Sequence, residues 1–322
     1  KIYRRVPLLW QETSNDVQER NPWSIQFMLM FMMNTDSYRF HDSGKSDLLP
    51  LYEAKMIHQF DHRWATYTAE SDSRDVSDVE KADPAFAVTP RYWVSQNDVE
   101  ERLTKRDRDG NVIWRWERQW LMGWRGIART TDERSVIGTV MPMAGIGNSC
   151  HLVMPNDAIS PTKVAALIAN ISALPFDFVA RQKIGGANFN FYIPKQLPIF
   201  PPDSYTEADL AFISPRVLEL TYTAHDLAPW AQDLGYNGEP FTFNPDRRAQ
   251  LRAELDAYYA KLYGLTRDEL RYILDPADVM GEDYPSETFR VLKNKEMREY
   301  GEYRTQRLVL EAWDKLETGE LH

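Results

Sequence analysis

Glu53, His58, Asp61 and His62 form the sharpest local cluster of chemically capable residues, within Leu51-Tyr-Glu-Ala-Lys-Met-Ile-His-Gln-Phe-Asp-His-Arg63. On a helix, His58 and His62 would share one face, as zinc-binding pairs do. The metalloprotease pattern needs a Glu directly after the first His, and Gln59 stands there. Pro50 and the aromatic neighbours suit a strand and turn equally, so a polar surface containing His and Lys is the better reading. Gly145-Ile-Gly147-Asn148 lacks both the Lys-Ser/Thr of a P-loop and the third glycine of a dinucleotide fingerprint, and it reads as a tight turn. Ser149, Cys150 and His151 are consecutive, and neighbours on a strand point to opposite faces, which argues against a nucleophile–base pair.

Two basic groups are better suited to binding than to catalysis. Trp124-Arg-Gly-Ile-Ala-Arg-Thr-Thr-Asp-Glu-Arg134 alternates Arg, Thr and an aromatic across two expected strands and their turn. Arginine can pair with guanine edges or phosphates, and threonine can contact phosphate or a thymine methyl. The competing reading is a solvated sheet face with cross-strand ion pairs. Lys183, Gly185, Gly186, Asn188 and Lys195 form the second group, in which glycines would let backbone N–H groups approach a phosphate.

Mixed elements must position these residues. Residues 1–60 read as a linker segment of strand-like and helix-like stretches, and 70–83 as a solvated acidic loop. Runs of Val, Ile, Trp and Thr predict strands near 124–131, 134–142 and 149–154. Pro161 opens a helix in which Val164, Leu167, Ile168, Ile171 and Leu174 recur at spacings of three and four. Gly185-Gly186 precedes an expected strand, Asn188 to Ile193. Four prolines between Pro194 and Pro202 predict a stiff, extended connector. Beyond it helices are expected over about 207–233, 245–263, 266–274 and 285–317, the second bracketed by Asn244-Pro245 and Gly264. The predicted fold class is α+β: a strand-rich domain over 61–202, followed by a helical region over 203–322.

With 43% hydrophobic residues, the 322-residue chain can bury an ample core. Its single cysteine, Cys150, permits no internal disulfide and fits a reducing cytosol. The longest apolar run, Phe27 to Met33, is about a third of the roughly 20 residues a membrane span needs, so no membrane partner is expected. Lys1-Ile-Tyr-Arg-Arg5 has no signal-peptide pattern and no initiator Met; a cytoplasmic fragment is the expectation. The net charge is −10, and all of it lies in 203–322, with 14 basic and 24 acidic residues. Residues 1–202 hold 24 of each, and 101–134 hold nine basic against six acidic. Phosphate binding depends on local potential rather than the sum, so the balance permits a nucleic-acid partner.

Several of these segments, in this order, resemble the C-terminal region of large restriction-modification adenine methyltransferases with a TaqI-like specificity domain. The carrying residues are Leu51 to Arg63, then Arg129-Thr-Thr-Asp-Glu-Arg134 with Met141-Pro142 and Gly147-Asn148. Ala165-Ala-Leu-Ile-Ala-Asn-Ile-Ser172, Phe178-Val-Ala-Arg-Gln-Lys183 and Asn188-Phe-Asn-Phe-Tyr-Ile-Pro-Lys-Gln-Leu-Pro-Ile-Phe-Pro-Pro202 follow. Arg216-Val-Leu-Glu-Leu-Thr-Tyr-Thr-Ala224 and Gly301-Glu-Tyr-Arg304 continue the resemblance into the tail. The family's S-adenosylmethionine loop and Asn-Pro-Pro-Tyr motif are missing. Asn21-Pro22-Trp23 lacks the second proline and reads as a turn.

The resemblance implies a division of labour. A methyltransferase domain, expected N-terminal to Lys1, binds S-adenosylmethionine and methylates a flipped adenine at N6. This chain holds double-stranded DNA and reads base edges, with no catalytic residue, metal or cofactor of its own. The DNA-contacting set expected on this basis is Lys55, His58, Arg63, Arg125, Arg129, Thr130, Arg134, Lys183, Asn188 and Lys195. The rival is a protein-interaction scaffold whose acidic helices dock a partner subunit without touching DNA; a hydrolase using His58 and His62 comes third.

Overall fold

The computed structural model describes residues 1–13, 18–129, 132–284 and 288–322. Its strands are β1 (Gln26–Met28), β2 (Leu48–Tyr52), β3 (Ala65–Tyr67), β4 (Ser73–Asp75), β5 (Trp93–Ser95), β6 (Thr104–Arg106), β7 (Val112–Arg115), β8 (Trp120–Arg125), β9 (Gly138–Pro142), β10 (Gly145–Ile146) and β11 (Cys150–Met154). The first helices are α1 (Ile2–Arg5), α2 (Asp78–Ala82), α3 (Gln96–Arg102), α4 (Pro161–Ser172), α5 (Leu174–Arg181) and α6 (Tyr192–Lys195). The C-terminal ones are α7 (Glu207–Thr221), α8 (Ala228–Asp233), α9 (Pro245–Leu262), α10 (Arg267–Leu274), α11 (Pro276–Met280), α12 (Arg290–Tyr300) and α13 (Arg304–Thr318). Strands gather in the first half and helices in the second, which is an α+β fold.

The central sheet has the order β1-β11-β8-β9, all antiparallel. A smaller sheet, β10-β2-β5, lies beside it, and β3-β4 and β6-β7 form separate hairpins. Trp120, Leu121, Met122, Gly123 and Trp124 of β8 are all buried, because the strand is covered on both faces. α4 packs on β9 and on α7, with everything from Val164 to Ser172 buried. Burying each large apolar side chain contributes roughly 1.5–3 kcal/mol, so this helix is a principal anchor of the fold.

The last strand ends at Met154 and helices begin at Pro161, so secondary structure does not change at residue 203, and packing is continuous across it. Asn170, fully buried, donates to the Tyr263 hydroxyl at 2.6 Å and accepts from the Phe200 amide at 3.2 Å. Asp256 on α9 accepts from the Leu174 amide at 2.6 Å, and Trp120 Nε1 donates to Asp233 at 2.7 Å. One core thus joins the strand-rich and helical regions.

Several sequence expectations need correction. The acidic 70–83 segment contains β4 and α2, the latter capped by Ser77 with Glu80 returning to the Ser77 amide. Residues 188–193 pair only at Asn188 and then turn into α6, which includes Pro194. The expected helix over 207–233 breaks after Thr221, and that over 285–317 breaks at Gly301, a left-handed residue at φ +74. Among the described residues, no single helix is long and apolar enough to cross a membrane. The bent pair α4 and α5 meets the test only jointly, and its residues are largely buried in the core.

Candidate nucleic-acid interface

Two segments about 60 residues apart in sequence meet beyond the end of β8. The Gly126 amide donates to Ser149 O at 2.7 Å, and Gly126 O accepts from the Phe189 amide at 2.7 Å. The Ala128 amide donates to Ala187 O at 3.1 Å, which pairs Ile127 with Asn188. Gly126 is required there, since a Cβ would lie 2.5 Å from His151 Nε2. Phe189 packs edge-on against Trp124 and Phe191 stacks on Phe27 at 4.7 Å, fixing the second segment to the sheet. The rim of this junction presents Ile127, Arg129, Lys183, Gly185, Gly186 and Asn188 to solvent. The Arg129 carbonyl accepts from the Asp132 amide at 3.1 Å, while its guanidinium has no hydrogen bond or ion pair among the described residues, and a Cβ on Gly185 or Gly186 would meet nothing within 4 Å. Thr130 lies outside the described residues.

The other members of the expected DNA-contacting set are placed differently. Arg63 is fully buried, donating to the carbonyls of Lys81, Asp83, Phe86 and Thr223 at 2.8–3.0 Å. It therefore ties the 81–86 segment to the end of α7 and is unavailable to DNA; burial pushes its pKa down. Arg134 is buried too, its Nε 2.9 Å from Asp177 Oδ2 and its Nη2 on Ser172 O. It braces the turn from within. Arg125 clamps Ile57 O through Nε at 3.0 Å and Nη2 at 2.6 Å. Lys195 is paired with Glu12 and lies over the Trp10 ring. Lys55 remains exposed, 4.6 Å over the Tyr67 ring.

His58 and His62 share no helix face, because a 3-10 turn over Ala54–Met56 is followed by a tight turn in which His58 pairs with Asp61. His62 instead meets Asp226 at 2.9 Å. No group of three or more metal-ligating side chains occurs among the described residues. His58 stacks on Trp64 at 4.2 Å; burial, with Arg125 and Arg252 nearby, pushes its pKa well down and leaves the ring neutral. Burial pushes the Cys150 thiol up to about 12, so it carries no thiolate for nucleophilic work.

His58 and Arg134 open onto a cleft of about 300 Å³ between the strand-rich region and α9, α12 and α13. Its charges largely neutralise one another. Lys81 pairs with Asp61 at 2.6 Å, Lys295 with Glu133 at 3.0 Å and Arg304 with Asp246 at 2.8 Å. Burial favours the neutral form of Asp61, but Lys81 and Arg248 hold it down at about 2. Buried Asp256 is raised to about 6. Around the acidic C-terminal helices, Glu302 and Glu311 pair with Arg307, Asp314 with Arg267 and Glu317 with Lys261.

A second exposed basic element went unread in the sequence. β6 and β7 form a hairpin whose turn is Asp107-Arg-Asp-Gly-Asn111, and Asp-Gly between two short strand-forming runs is a strong hairpin signal. Compared with known proteins, the chain matches no family model and no curated protein sequence.

Proposed function

We propose that this chain is the DNA sequence-recognition portion of a restriction-modification or phage-defence adenine methyltransferase acting in the cytoplasm. On this reading it holds and reads double-stranded DNA for a catalytic methyltransferase domain, to which S-adenosylmethionine and the transfer step belong. The observation that supports it best is the junction of residues 126–129 with 183–190. The first segment carries exposed Arg129, whose guanidinium has no partner among the described residues, and the second carries exposed Lys183 and Asn188 and an open Gly185-Gly186 backbone. An unpaired guanidinium suits a base edge or phosphate, and an unobstructed glycine backbone suits close approach to a phosphate.

Roles divide within this surface. Arg129 reads and Lys183 holds. Removing a phosphate contact weakens every sequence about equally and flattens the log–log salt dependence by roughly 0.9, whereas losing a base contact costs about 1–3 kcal/mol of discrimination. Salt titrations of duplex binding by the chain and its Arg129→Ala and Lys183→Ala variants test this. A wild-type affinity that does not respond to salt refutes the reading.

A further inference from the structure

The β6–β7 hairpin stands out from the body of the molecule. Thr104 pairs with Arg115 and Lys105 with Trp114, and a bulge leaves Ile113 unmatched. Every residue from Lys105 to Ile113 is exposed, including Val112 at 49% and Ile113 at 65%. The tip is nonetheless well ordered by its own bonds. Asp107 Oδ1 accepts the amides of Asp109 and Asn111 at 2.9 and 2.8 Å, and Gly110 adopts φ +86 to close the turn. The side chains of Arg108 and Arg115 make no hydrogen bond or ion pair among the described residues, and that of Arg106 reaches only the Gly110 carbonyl. Lys105 braces the base, donating to Gln26 on β1 at 2.6 Å, while Phe191 stacks on the next residue of that strand, Phe27. The hairpin thus meets β1 at Gln26, and Phe191, just after the 183–190 segment, meets it at the neighbouring Phe27, whose side chain leaves the strand on the other face.

We propose that the Thr104–Arg115 hairpin is a second DNA-contacting element, a ribbon that enters a groove of duplex DNA with Arg106 and Arg108 leading. The major groove, about 12 Å wide, admits a two-stranded β-ribbon. Four basic side chains against two acidic ones, with Asp107 already occupied by backbone amides, give the ribbon the charge a phosphate-lined groove requires. Val112 and Ile113 supply apolar surface suited to thymine methyl groups. A turn ordered before binding loses little conformational freedom on docking. The inference rests on the DNA-recognition reading and names the element that enters the groove.

The test is fluorescence anisotropy with a 30-base-pair duplex pool of random sequence, using the full chain, Arg106→Ala/Arg108→Ala and Arg298→Ala as a charge control on α12. The double variant should bind about tenfold more weakly or worse, with a salt slope flatter by roughly 2, while Arg298→Ala binds like wild type. Because the replaced residues are exposed, the thermal midpoint should not move. Equal binding by wild type and double variant, with Arg129→Ala still weakened, overturns the ribbon and leaves the recognition reading standing. No binding by the wild type overturns both. A Val112→Ser/Ile113→Ser variant that loses self-association but keeps full DNA affinity would make the hairpin a protein contact and also overturn the proposal.

Discussion

Arg134→Ala separates a reading arginine from a structural one. Sequence reasoning gives this residue a role in site choice, but the fold buries it with its Nε on Asp177 and its Nη2 on the Ser172 carbonyl. Asp177 is fully buried and sits at the N-terminal turn of α5. Removing one partner of a buried ion pair typically costs 3–5 kcal/mol, because the other charge is left in a poorly solvating interior. Here the Ser135 amide, 3.0 Å from Asp177, and Arg181, 3.5 Å away, remain to stabilise the carboxylate. The expected loss therefore lies at the lower end, about 3 kcal/mol. Urea unfolding followed by tryptophan fluorescence measures it, and the duplex preference of the folded fraction should be unchanged. An Arg134→Ala protein within about 0.5 kcal/mol of wild type, but with altered site choice, would refute the assignment.

Arg63→Met should be more damaging, since it takes the guanidinium donor from four carbonyls, those of Lys81 and Thr223 being buried, at roughly 1–3 kcal/mol for each buried one; a collapse in folded yield is expected, and a near-normal thermal midpoint would contradict it. Asp256, raised to about 6, holds in the folded chain a proton that an unfolded carboxyl near 4 has released, so its contribution favours folding below about pH 4 and is lost as pH rises through 6. Asp256→Asn should therefore gain on wild type by up to roughly 3 kcal/mol between pH 4 and pH 7.5, read from urea midpoints at both; a pH-independent difference would show that the carboxyl titrates normally.

The fold was legible where local signals and burial agree. Ser160-Pro161 caps and starts α4, whose apolar spacing matches a helix buried against β9, and Asn244, Pro245 and Gly264 bound α9 and its final turn. Positional chemistry was less legible, because an arginine's role depends on what tertiary packing brings to it. Nothing local distinguishes Arg129, which points to solvent, from Arg134, which meets an Asp 43 residues away. Arg63 likewise finds Thr223 only through the packing of the 203–322 helices on the strand-rich half. The junction of 126–129 with 183–190 is a long-range pairing of two irregular segments, without the alternation that marks a strand. The β6–β7 turn is different: its Asp-Gly signal is local and sufficient.

The central claim is that this chain discriminates among DNA sequences, and selection from a randomised duplex library followed by sequencing of the retained fraction tests it most directly. The account predicts enrichment of one discrete motif by the wild-type chain and a degraded motif with Arg129→Ala. Retention of duplexes without any motif, or no retention at low salt, would contradict it.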